Sequence, residues 1–327
     1  MQLNTPSYKN WITILKGFLI ILVIFGHTTT DKYVLNYLSS FYMPCFFVLS
    51  GWLIKKEADL AVFVKKKVKS VLMPYLFFAV IWVLFCFAKS FVVESDFNLV
   101  RALLSIILPY SGSTGGNAYN LWFLPCLFLA QVLLGLFVYS KRNGKILAVI
   151  IYLSFLVSGI IIKPYCSLLY ATAIATVFVG VGFYLSNYLS ASVNNTKHSL
   201  ILPLTIGLVV HIGTFALNVV VLGNNLDFSA ASFGILPLYI LGALSAVLVV
   251  IVLTSQIKKL QPIEYIGKNS LVYYALHYEV LALVTFVVEK VTSIGIISTI
   301  VSFVATCLLT TIIVAIYNKI AVGNLFK

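Results

Sequence analysis

Charge is what this 327-residue chain has least of. Only 9% of its residues are Asp, Glu, Lys or Arg, where a soluble protein has about a quarter. The hydrophobic fraction is 61% and mean hydropathy is +1.06. No globular core of this size buries so much apolar side chain, because a surface must be covered by something polar. The same numbers exclude a disordered chain, a collagen and a coiled coil. Acids are scarcer than bases, nine against 22, for a net charge of +13. In a membrane chain such an excess reports orientation, so no nucleic-acid partner is expected. Cysteine is sparse and scattered: Cys45, Cys86, Cys126, Cys166 and Cys307 form no CxxC pair, which speaks against a disulfide framework and against a metal site. No small-residue cleavage site closes the first apolar run, and no internal repeat or separate soluble domain is visible. Residues 1–327 read as one transmembrane domain.

What is present is a series of long apolar runs. A membrane-spanning helix needs about 20 mostly apolar residues. Ten runs meet this, at about 11–28, 38–54, 71–92, 120–139, 146–162, 167–187, 199–222, 233–254, 270–288 and 294–317. Continuous runs, rather than alternation, select helices over a barrel. The expected fold is an all-α, polytopic helical bundle. With the N-terminus inside, the inner loops carry 16 basic residues and the outer loops 5. This asymmetry places both termini in the cytoplasm. The segment 89–119 then lies outside. It ends in Ser111, Gly112, Ser113, Thr114, Gly115, Gly116 and Asn117, with no GK[ST] to make a P-loop. It reads as a flexible loop or as a lid. The sequon Asn194-Asn195-Thr196 falls inside and carries no weight.

Ionisable groups within spans are expensive and are functional candidates. Here they are Lys16, His27, His211, His277 and Glu279. Lys16 and His27 are 11 residues apart, about three turns plus roughly 20°, so they project from one face about 16 Å apart. Lys16 either snorkels to the inner surface or faces a cavity filled by water or ligand. His277 shares a helix face with Ser270 and with Tyr273 or Tyr274. Glu279 points away from that face, toward a cation the sequence does not identify. His211 reads as a satisfied bundle histidine.

Several motifs in order now carry a resemblance. Lys16-Gly17 through Gly26-His27 (KGFLIILVIFGH), Tyr42 to Gly51 with its MP-x-FF-x-x-SG core, and Leu72-Met73-Pro74-Tyr75 behind the basic run Lys65–Lys69 come first. Asn120-Leu121-Trp122-Phe123-Leu124 and Ile266-Gly267-Lys268-Asn269-Ser270-Leu271, followed by Tyr274 and His277, complete the set. The chain resembles the acyltransferase-3 family of integral membrane acyltransferases, and within it the polysaccharide and fucose O-acetyltransferase branch. One departure is Thr13, where the family often has Asp, so Lys16 lacks a helical carboxylate partner.

The resemblance implies an O-acetyltransferase of the bacterial cell membrane. It would move an acetyl group from acetyl-CoA to a hydroxyl of a lipid-linked or exported glycan, with membrane lipids as its surroundings. The residues suit that chemistry. A sugar hydroxyl needs a base, and the imidazole of His27 titrates near neutral pH. His277 would assist. Ser50, Asn120, Ser270 and Tyr274 are candidate donors to the developing thioester oxyanion, the catalytic group being His27, His277, Ser50 and Tyr274. Lys16, with Asn120 and Ser270, is expected on the acyl-CoA side, where a cation meets phosphates. The loop Lys55–Lys69 either joins Lys16 there or sets orientation and binds anionic lipid. A glycan exporter and a non-catalytic subunit of a glycan assembly complex are the competing functions; the exporter predicts matching broken spans in two halves, which the sequence does not show.

Overall fold

A computed structural model describes residues 6–93, 97–107, 119–161, 167–192, 201–291 and 295–320. Every regular element among them is helical. Ten longer helices form the bundle among the described residues: α1 (Pro6–Thr28), α3 (Tyr42–Trp52), α5 (Met73–Val93), α7 (Phe123–Tyr139), α8 (Arg142–Ile161), α9 (Ser167–Ser192), α10 (Ile201–Phe215), α11 (Leu236–Ser255), α13 (Ser270–Val291) and α14 (Gly295–Lys319). Four short ones join them: α2 (Lys32–Ser39), α4 (Leu60–Lys67), α6 (Leu99–Ile107) and α12 (Gln261–Lys268). Among the described residues nine helical segments are long and apolar enough to cross a membrane. The tenth run, α7, is an apolar helix of 17 residues that starts behind a 3₁₀ turn at Tyr119–Leu121. The bundle is all-α and polytopic, as composition requires.

The short helices are what hydropathy alone does not resolve. Asp31 caps α2 and Asp59 caps α4, each carboxylate accepting the backbone N–H three residues on at 2.8 Å. Pro262 stands in the first turn of α12, where its missing N–H costs nothing. Glu264 reaches back to accept the Leu260 N–H at 3.0 Å. Within 89–119, read as a flexible loop or a lid, nine of the described residues form α6. Tyr75, of the Met-Pro-Tyr motif, anchors that helix by donating its hydroxyl to the Ile106 carbonyl. The Ser111–Asn117 stretch and the sequon at 194–196 lie outside the described residues.

Two close helix crossings organise the interior, and glycines make both. A Cβ on Gly51 would lie 2.0 Å from the Val179 carbonyl oxygen, and one on Gly182 would lie 1.9 Å from that of Val48. Thus α3 and α9 touch backbone to backbone. The α1–α12 crossing is built alike: a Cβ on Gly17 would meet the Ile263 oxygen at 2.2 Å, and one on Gly267 the Thr13 oxygen at 1.8 Å. The glycine after Lys16 and the glycine of the late Gly-Lys-Asn-Ser element are therefore partners. Thr13, where the family often has an acid, lies at this crossing.

Hydrophobic side chains on the outer faces are bare. Ile146, Ile150, Leu153, Val157 and Ile160 on α8, and Ile300, Val304, Leu308 and Ile312 on α14, are all exposed. Lipid is the solvent that accepts such stripes. The basic loops collect at one end of the bundle. Asn10 donates to the Lys258 carbonyl at 3.1 Å, the Glu57 N–H donates to the Tyr139 hydroxyl at 3.0 Å, and Lys66 pairs with Glu57.

Candidate active site

Two cavities lie inside the bundle. The first, about 360 Å³, is at the basic end and is lined by Lys16, Lys67, Ser50, Ser70, Gln131 and Ser270 over an otherwise apolar wall. The second, about 390 Å³, is at the opposite end and is lined by His27, Asn36, Asn120, Trp122, Asp227, Ser229 and Tyr278. Val23, Met43 and Tyr274 line both. Lys16 and His27 thus share the cavity-facing side of α1, one to each chamber.

Local structure explains why these side chains face inward. A π-helical turn at Val68–Leu72 precedes Pro74. One extra residue in the turn rotates Ser70 and Val71 toward the Lys16 cavity. Asn269 ends α12 and begins α13, its carbonyl accepting the N–H groups of Val272 and Tyr273 at 2.9 and 3.1 Å. Its side chain is held by Asn318 at 2.9 Å. Ser270, next in line, is thereby set at the cavity wall. Gly51 fixes α3 against α9 and presents Ser50, whose hydroxyl donates to the Phe47 carbonyl at 2.8 Å. That proton is committed to its own helix.

The two histidines expected to act together are brought together. The rings of His27 and His277 stack with centroids 5.1 Å apart and planes 16° apart. His27 is exposed at the cavity wall, while His277 sits behind it at 1% exposure. His277 Nδ1 lies 2.8 Å from the Tyr274 carbonyl and 3.2 Å from that of Tyr273. A carbonyl only accepts, so Nδ1 carries the hydrogen and Nε2 the lone pair. Nε2 is buried and has no partner among the described residues. Tyr278 meets the His27 ring edge-on at 5.6 Å.

Tyr274 stands at the junction. Its hydroxyl donates to the Asn120 carbonyl at 2.7 Å and accepts the Phe123 N–H at 3.2 Å, bridging the 3₁₀ turn to the start of α7. Tyr273 faces α14 instead, bonding Thr311 at 2.8 Å. Asn120, expected beside the donor, lines the His27 cavity, because the 3₁₀ turn that carries it lies at that end of the bundle. His211 is buried with Nδ1 3.0 Å from the Gly242 carbonyl and stays outside both cavities. Glu279 is buried, and no described cation lies within ion-pair range of it. Lys16 likewise has no carboxylate partner among the described residues. No group of three His, Cys, Asp or Glu side chains converges on a metal-sized site among them.

Sequence reasoning missed Gln131 and Ser70 in the first cavity, and Asn36, Asp227, Ser229, Trp122 and Tyr278 in the second. Asp227 had a signal: it is one of nine acids in the chain.

Over residues 9–319 the chain matches the acyltransferase-domain family. It belongs to the acyltransferase-3 family and is a multi-pass membrane acyltransferase. Neither a curated protein nor a solved structure matches it.

Proposed function

We propose that the protein transfers an acetyl group from cytoplasmic acetyl-CoA to a hydroxyl of a cell-surface or lipid-linked glycan, with His27 as general base. The observation that carries this reading is the pair of cavities meeting at Val23, Met43 and Tyr274. A donor and an acceptor on opposite sides of a membrane need two chambers that meet where the thioester and the hydroxyl react.

The Lys16 cavity suits the donor. Two ammonium groups, Lys16 and Lys67, line an apolar chamber, and cations recognise phosphate. An extended thioester arm would then reach toward Tyr274. The His27 cavity suits the acceptor. The sugar hydroxyl gives its proton to the His27 imidazole as its oxygen attacks the thioester carbonyl. The carbon–sulfur bond then breaks and the thiolate leaves toward the Lys16 side. His277, stacked behind and tethered through Nδ1, holds the plane of the His27 ring. Tyr274 fixes the junction of the chambers, and Ser270 stands beside the arriving thioester.

The test compares the intact mass of surface glycan from cells with the wild-type protein and with His27→Ala. The variant should express and insert normally and lose the acetyl increment, with turnover down about 10²- to 10⁴-fold in membranes. Normal acetyl content with less glycan exported would replace the enzyme by an exporter.

A further inference from the structure

We propose that the connection between α10 and α11, residues 222–235, is the acceptor-recognition element, and that Asp227 selects an uncharged sugar residue carrying adjacent free hydroxyls. This rests on His27 being the acceptor-side base.

The connection is pinned far more firmly than a surface loop requires. Asn36, 4% exposed on α2, accepts the Leu226 N–H and donates to the Asn225 side chain at 3.2 Å. Asn218, 1% exposed in the π-helical turn Ala216–Val221, donates to the Phe233 carbonyl at 3.1 Å and accepts from Ile235 N and the Asn224 amide at 3.0 and 2.9 Å. Ser167 of α9 donates to the Ser229 carbonyl at 2.9 Å. Asp227 and Ser232 exchange both backbone hydrogen bonds at 2.8 Å. Closing so tight a ring leaves Ala231 at φ +51°, a conformation that a non-glycine residue adopts only when its surroundings impose it.

This rigid frame presents Asp227 and Ser229 to the same chamber as His27. All of the described hydrogen bonds to the Asp227 carboxylate fall on Oδ1, from Ser229 N at 2.8 Å, Ser229 Oγ at 2.5 Å and Ala230 N at 3.3 Å. Oδ2 keeps its acceptor capacity. A carboxylate oxygen accepts from sugar hydroxyls and repels a uronate or another anion. Trp122 also lines the chamber, with its ring stacked on Phe228 at 5.8 Å and 18°. One such ring presents a flat apolar face to a pyranose while the carboxylate takes its hydroxyls. Lys32 is the one ammonium lining this chamber among the described residues; it is exposed at the first turn of α2.

The test uses the full-length protein in nanodiscs with radiolabelled acetyl-CoA and two probes, methyl glucoside and methyl glucuronoside. Wild type should acetylate the glucoside in preference to the glucuronoside. Asp227→Asn keeps the Oδ1 acceptor that closes the turn. It should raise the KM for the glucoside about 10- to 100-fold, the effect of losing hydrogen bonds to a charged group. It should also narrow the preference over the glucuronoside and leave the KM for acetyl-CoA unchanged. Unchanged glucoside KM and preference in Asp227→Asn, or a wild-type preference for the glucuronoside, would overturn the assignment while leaving acyl transfer intact. Should wild type acetylate neither probe, transfer to free monosaccharides is excluded, and the intact-mass comparison of surface glycan decides acyl transfer itself. Saturation-transfer NMR of the two probes on wild type and Asp227→Asn then decides the subsite separately: binding of the glucoside that Asp227→Asn weakens supports it, and equal or absent binding rejects it.

Discussion

A histidine whose lone pair is buried and unpartnered, stacked on a second histidine that opens to a cavity, divides one chemistry between two residues. His27 lines the second cavity; His277 does not. His277→Asn retains a side-chain donor toward the Tyr274 carbonyl and should leave measurable transfer, with kcat lowered and donor KM unchanged in membrane assays. Complete loss in His277→Asn, with activity kept in His27→Asn, would show that the roles are reversed. At the other end, Lys16→Gln removes one of two cavity ammonium groups. A charge-assisted contact to phosphate is worth about 1.5–3 kcal/mol, so the KM for acetyl-CoA should rise about tenfold or more. Lys16→Arg should keep much of the activity, because either cation meets a phosphate. An unchanged donor KM in Lys16→Gln would take Lys16 out of the donor site.

Among the elements, the family's short motifs turn out to be contact surfaces as much as chemistry. The glycine in Ser50-Gly51 lets α3 meet α9, and Gly17 with Gly267 lets α1 meet α12. The α3–α9 crossing sets Ser50 at the cavity, and the α1–α12 crossing sets Lys16 there together with Ser270 and Tyr274 at the start of α13. Gly182→Leu carries no cavity residue but drives a side chain into the Val48 carbonyl. Overpacking of this kind costs about 1–3 kcal/mol. The variant should melt several degrees lower in detergent and lose activity, while Gly213→Leu, with nothing within 4 Å of its would-be Cβ, should do neither. Equal melting temperatures for the two variants would show that the α3–α9 crossing tolerates separation.

For the molecule as a whole, orientation follows from where the bases lie. The Lys16 end gathers the Lys55–Lys69 segment and the Lys258–Lys259 turn, and the positive-inside rule predicts that this end is cytoplasmic. The His27 end would then face outward, where the proposed acceptor would enter from the surface. In a cysteine-free background, a Cys at Lys56 should label with an impermeant maleimide only after permeabilisation, and a Cys at Lys32 should label in intact cells. The reverse pattern would invert the protein and put the acceptor chamber in the cytoplasm.

Length, composition and the spacing of apolar runs by themselves determined an all-helical membrane bundle with ten runs, because lipid leaves a chain no other way to satisfy its backbone. They also determined that Lys16 and His27 share a face, since helical periodicity is a local property. The nearness of His277 to His27 was legible only through the family resemblance, as 250 residues separate them in sequence. The short helices α2, α4, α6 and α12 were hidden, because eight or nine residues are too few to register as a run of spanning length. Only the tertiary structure decided that Asn120 belongs with His27 rather than with Lys16, and that Asp227 joins them. Those choices depend on which ends of distant helices converge, and that is set by backbone approach at glycines and by long-range bonds such as those of Asn36 to the α10–α11 connection. No local pattern encodes them.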